Sequence, residues 1–166
     1  MRRAFLIWPA LLAFLAVVVF IPVWRIESST MAATTIAGDA DGVFQSAINL
    51  DEWPSWRGDV SAIRHLEEDG FRAEIVTSGG TAIYAFDLDF QSRVMTWQSR
   101  DERWRLAVGE TNGGAQVQIS RSRTTRTLAR WLWDLVTGAS SAPYAMLDDL
   151  TLRCQGDACA GDGDAP

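Results

Sequence analysis

The chain has no lysine at all: its 15 basic residues are all arginine. It has one histidine, His65, and two cysteines, Cys154 and Cys159. Without lysine there is no Walker-type phosphate loop and no Schiff-base chemistry. With one imidazole, a multi-histidine metal centre within a single chain is excluded. A Ser-His-Asp triad would have to run through His65. The 21 acids outnumber the arginines and leave a net charge of -6. A protein that neutralises phosphates needs a basic face, so nucleic acid is not an expected partner. No cofactor and no metal is expected.

Charge is also missing over one long stretch. Residues 4–24 carry none, and thirteen of them are Leu, Ile, Phe or Val. As a helix this stretch would reach about 31 Å, enough to cross the hydrocarbon core. At roughly -0.4 kcal/mol for each of those thirteen residues, insertion is favoured by about 5 kcal/mol. Pro9 and Pro22 lie near its ends, and Trp8 and Trp24 bracket it as interfacial anchors. Arg2 and Arg3 precede it, which keeps the N-terminus cytoplasmic and sends the rest of the chain across. Residues 1–25 are therefore expected to be a signal anchor of a single-pass membrane protein with an extracytoplasmic domain. The competing reading is a cleaved secretory signal ending at Thr30-Met31-Ala32, which would export the same domain but remove most of its first strand.

All 21 acids and 12 of the arginines lie in residues 26–166. Residues 26–153 are one domain's worth of chain. Residues 154–166 are small and acidic, and are expected to be a disordered tail.

Within the domain, Glu27 to Ile36 is extended. Asp39 then stands as an N-cap, before a short helix with Val43, Phe44, Ala47 and Ile48 on one side. Asp39-x-Asp41-Gly42 lacks the remaining ligands of a calcium loop, which favours the cap. A second short turn or helix holds Asp51 to Trp56. Strand signals follow at 60–66, 71–77, 81–88, 93–99, 103–109 and 116–122, with Ser78-Gly79-Gly80 and Asn112-Gly113-Gly114 as turns. From Leu128 the spacing becomes helical: Leu132, Leu135, Ala139, Ala142, Met146 and Leu150 recur in steps of three and four, with Gly138 and Pro143 as breaks. Antiparallel strands followed by one long, kinked helix predict an α+β layer.

Two segments, Thr35-Ile36-Ala37-Gly38-Asp39-Ala40-Asp41-Gly42-Val43-Phe44 and Leu50-Asp51-Glu52-Trp53-Pro54-Ser55-Trp56, set in that order of elements, resemble the START-like helix-grip superfamily (the SRPBCC group). The resemblance is closest to its polyketide cyclase/dehydrase-like and coenzyme-Q-binding-like branch. It covers about residues 27–153, and the apolar leader lies outside it. It implies a curved antiparallel sheet of about seven strands wrapped on a long C-terminal helix, Leu128 to Leu152, which closes a hydrophobic cavity. Members include lipid carriers, cyclases and ligand sensors, so no catalytic residue set carries over.

On that pattern the cavity candidates are Phe71, Ile75, Tyr84, Phe86, Trp97, Trp104, Leu106, Trp131, Leu135 and Met146. The same stripe would serve equally as a filled core. Trp53 and Trp56 either gate a cavity mouth or pack the short helices on the sheet. Arg121, Arg123, Arg126 and Arg130 either meet anionic headgroups, helped by Trp131 and Trp133, or form a solvated face. Cys154 and Cys159 could close a small disulfide loop or remain free thiols. Three functions stay open. The first is a membrane-anchored, non-catalytic domain binding a hydrophobic small molecule or lipid. The second is a polyketide cyclase/dehydratase-like enzyme, with His65, Tyr84, Asp87 and Glu110 as polar candidates. The third is a structural or interaction domain with a filled core.

Overall fold

The computed structural model describes residues 26–66, 71–136, 141–155 and 159. The element order is β1 (Ile26–Ile36), α1 (Ala40–Ile48), a 3-10 turn (Leu50–Glu52), α2 (Trp53–Trp56), β2 (Val60–His65), β3 (Arg72–Thr77), β4 (Gly80–Asp89), β5 (Val94–Gln98), β6 (Glu102–Thr111), β7 (Gly114–Thr125), α3 (Leu128–Val136) and α4 (Ala142–Cys154). The seven strands form one antiparallel sheet in the order β1-β7-β6-β5-β4-β3-β2. From β2 to β7 each strand pairs with the next, and the sheet is completed by β1 lying along β7 over the full length of β1, from Ile26 opposite Thr125 to Ile36 opposite Ala115. This is the curved-sheet α+β fold that the strand pattern predicts.

Local chemistry explains the elements. Asp39 caps α1: its carboxylate accepts from the Asp41 and Gly42 amides, each at 3.1 Å. Pro54 sits in the first turn of α2, where its missing N–H costs nothing. The Trp53 indole donates to the Ala47 carbonyl at 2.9 Å and locks α2 to α1. Gly114 turns β6 into β7 with φ +133, and a Cβ there would overlap the Ile36 carbonyl at the end of β1. Only glycine fits both the backbone angle and that approach.

The core lies between the sheet and the helices. Along β6 and β7, Leu106, Val108, Val117 and Ile119 face inward with β5 Met95, and α1 (Val43, Phe44, Ala47) and α4 (Met146, Leu147, Leu150) cover them. Asp149 accepts from the Gly58 amide at 3.0 Å, and Arg153 pairs with Glu52, so α4 is also tied to the α2 region.

Two expectations are revised. The long C-terminal helix is two helices, α3 and α4, on either side of residues 137–140, and Pro143 lies in the first turn of α4 rather than kinking a continuous helix. Leu132, expected to face the sheet, is 42% exposed, because α3 turns Asp134 toward β7 instead, and Leu135, 61% exposed, reaches only the edge of a cleft beside β7. The C-terminal boundary also moves. Helix α4 runs through Cys154, which is disulfide-bonded to Cys159, and Cys159 is buried against Gly38. Apart from Gln155, the C-cap of α4, the rest of the expected tail lies outside the described residues. So does the expected anchor at residues 4–24; among the described residues no helix is long and apolar enough to cross a membrane.

Candidate functional site

Strand register builds the site. Hydrogen bonding sets Phe86 opposite Trp97, Trp97 opposite Trp104, Trp104 opposite Arg121 and Arg121 opposite Thr30, a row across five strands on the inner face. Trp97 and Trp104 stack with centroids 5.4 Å apart and planes 8° apart, and Phe86 stacks on the other side of Trp97 at 6.5 Å and 14°. The edge of Trp53 closes on this stack, 5.6 Å from Trp97 and 6.2 Å from Phe86. The Arg121 guanidinium ends the row over the Trp104 ring at 5.1 Å. Arg57, itself 6% exposed, covers Trp53 at 4.4 Å and is held by Asp59.

The next row toward the Ile26 end is polar. Glu102 lies opposite Arg123, and Arg123 opposite Ser28. Glu102 accepts from the Tyr84 hydroxyl at 2.8 Å and pairs with Arg121, both charged side chains being 13% exposed. Burial pushes the Tyr84 phenol well above its ordinary value, and the negative Glu102 carboxylate beside it adds to the rise, so Tyr84 is a neutral donor throughout the physiological range. Arg123 reaches up to Asp134 on α3 at 3.0 Å, and Arg130 also approaches Asp134, at 3.5 Å.

Helix α3 is the roof over this end. None of its residues is buried, and it meets the sheet along β7. Beneath it a cleft of about 130 Å³ runs between Ser28, Thr30, Arg121, Arg123, Trp131, Asp134 and Leu135. One face of the sheet therefore carries two environments. The α1/α4 end and the aromatic stack under Trp53 are filled, while at the α3 end Arg121 and Arg123 border open space under a helix with no buried residue.

The ten cavity candidates divide between them. Tyr84, Phe86, Trp97 and Trp104 form the wall, and Trp131 and Leu135 line the cleft. Ile75, Leu106 and Met146 are buried in the packed core. Phe71 is 49% exposed at the start of β3. Of the polar candidates, only Tyr84 reaches the cluster. His65 lies on edge strand β2 and bonds Asp51 at 2.8 Å. Glu110 pairs with Arg93 at the opposite end of the sheet, and Asp87 faces outward. They converge on no common point. Among the described residues no group of three or more metal-ligating side chains comes together.

Sequence reasoning passed over Glu102 and Asp134, and took Arg121 and Arg123 only as part of a surface run. A signal was present. Glu102 has the same parity as Trp104, Leu106 and Val108, and Arg121 and Arg123 share that of Val117 and Ile119. Charges on the apolar parity of a strand face inward and need partners.

No protein-family model and no curated protein matches the chain. Solved structures do. The aromatase/cyclase Zhui from Streptomyces sp. R1128 superposes with a TM-score of 0.62 at 16% identity, over 80% of this chain and 98% of that one. A START superfamily protein from Mycobacterium smegmatis gives 0.60 at 12%, over 80% and 98%. Norcoclaurine synthase from Thalictrum flavum gives 0.63 at 13%, over 81% and 90%. Matches of such low identity, spanning nearly the whole of each partner, establish architecture: this chain has the helix-grip fold found in START superfamily proteins and aromatase/cyclases.

Proposed function

We propose that the domain holds a hydrophobic small molecule or lipid between the inner face of the sheet and α3, without transforming it, and that residues 4–24 moor it to a membrane with the domain on the extracytoplasmic side. The observation that carries this reading is the cleft under α3, a helix with no buried residue, bordered by Arg121 at the end of the stacked row Phe86–Trp97–Trp104. Aromatic faces supply dispersion and little directionality, which suits an apolar or ring-bearing guest. The polar groups at the end of the wall already satisfy one another, so they orient a polar tip rather than attack it. A cleft of about 130 Å³ admits only part of a lipid-sized guest, so filling it requires α3 to lift from β7. That helix is held mainly through Arg123–Asp134 and Trp131. An anchor ending beside β1 confines the cavity to the leaflet from which such a guest would come.

Native mass spectrometry of the detergent-extracted full chain tests the reading. A co-purifying hydrophobic molecule is expected, and Trp131→Ala, in the cleft lining and not buried, should lose it while keeping the native circular dichroism. A chain that is consistently empty, and that shows no tryptophan quenching when titrated with lipids or quinones, would refute it. One observation favours a catalytic reading: the neutral Tyr84 hydroxyl hydrogen-bonded to Glu102 at the end of the aromatic wall. Turnover of a polyketide-like substrate that disappears in Tyr84→Phe while binding survives would establish that reading instead.

A further inference from the structure

Helix α3 is amphipathic in an unusual sense. Its two charged residues, Arg130 and Asp134, share one side, and Asp134 is turned to the sheet, where it meets Arg123 at 3.0 Å. The opposite side carries Leu132, Leu135 and Val136, within about 100° of the circumference. They are 42%, 61% and 80% exposed. A soluble surface helix buries such a stripe; this one presents it outward.

Position says what covers it. Ile26 opens β1 directly opposite Thr125, the last residue of β7, and α3 begins three residues later at Leu128. Antiparallel neighbours are about 5 Å apart, so the chain enters the domain beside the base of α3. Only Arg25 separates Ile26 from the uncharged segment 4–24. An anchor there leaves no spacer, and it sets this end of the sheet on the bilayer surface. Arg126 and Arg130, with side chains 60% and 58% exposed, stand at the same end, where headgroup phosphates would lie.

We infer that α3 is a membrane-docking helix: Leu132 and Val136 enter the interface of the same leaflet that holds residues 4–24, and Leu135 borders it at the mouth of the cleft. Docking turns the cleft between α3 and β1/β7 toward that leaflet. The inference rests on the anchor reading under Proposed function, and its test separates the two.

The full chain is reconstituted into vesicles of zwitterionic and anionic phospholipid, carrying an environment-sensitive fluorophore at Val136→Cys. A control carries it at Asn112→Cys, in the β6–β7 turn at the far end of the sheet. Val136 and Asn112 are both exposed, so both variants should keep the native circular dichroism. Flotation reports the anchor, and quenching reports the helix. The expected result is co-flotation, with the Val136 label shifted to the blue and quenched by spin-labelled acyl chains, while the Asn112 label responds only to aqueous iodide. Co-flotation with a Val136 label that iodide reaches and lipid quenchers do not would overturn docking and leave the anchor standing. A Val136 label shielded from both quenchers would mean that a second copy of the chain covers the face, which also overturns it. Failure to float would remove anchor and docking together.

Discussion

Replacing Glu102 by leucine should cost far more than a surface acid would. Its carboxylate accepts from the Tyr84 hydroxyl at 2.8 Å and neutralises Arg121, and both charged side chains are 13% exposed. Breaking a buried pair by removing one partner typically costs about 3–5 kcal/mol, because the surviving charge loses its counter-ion where water cannot replace it. Water reaches this site through the cleft under α3, which places the expected loss at the lower end, about 3 kcal/mol. The Trp104 ring, 5.1 Å from the guanidinium, is present in both proteins and cannot compensate. Substituting both partners, Glu102→Leu with Arg121→Met, removes both charges and fills the space with apolar volume. That variant should lie within about 1 kcal/mol of the parent, the residue being the Tyr84 hydroxyl left without its acceptor. The assay is urea unfolding of the full chain in a mild detergent, followed by tryptophan fluorescence, with all four proteins of the double-mutant cycle. A single-variant loss below about 1 kcal/mol would refute the reasoning, as would a double-variant loss equal to the sum of the singles. Either result would mean that the cluster is effectively hydrated.

Tyr84 and Gly114 each carry a further prediction. The Tyr84 phenol is raised above its ordinary value of 10.0, so the unfolded chain loses that proton first. Stability from this group is complete below pH 10 and declines as pH climbs past it, by up to about 1.4 kcal/mol per pH unit. Tyr84→Phe should flatten the alkaline limb of a stability–pH curve, and an unchanged slope would contradict the burial. Gly114→Ala puts a Cβ onto the Ile36 carbonyl at a φ of +133. It should destabilise by about 2–4 kcal/mol in the same unfolding assay, through combined strain and overlap; a loss below about 1 kcal/mol would show that the β1 end yields easily.

Much of the fold was legible in the chain because its causes are local. Strand signals, several of them period-two alternation, marked each of the seven strands to within a few residues, and Asn112-Gly113-Gly114 marked the β6–β7 turn. The Asp39 cap was readable because a carboxylate and the amides it accepts from lie within three residues. The aromatic wall was readable only as a set of apolar positions. Alternation says that Tyr84 and Phe86 share a face of β4. It does not say that Phe86 meets Trp97 and Trp104, or that Tyr84 meets Glu102 eighteen residues away.

By itself, then, the sequence determined the order and kind of the elements, the absence of lysine chemistry and of a histidine metal site, and a long uncharged apolar segment ahead of the domain. These follow from composition and from interactions a few residues in range. Tertiary structure alone decided which strands lie side by side, and so which charges are buried together. It also decided the direction α3 faces. That helix is strongly one-sided, and periodicity alone would turn its apolar side to the sheet. The choice fell to Asp134, which finds Arg123 across the gap and turns Leu132 and Val136 outward.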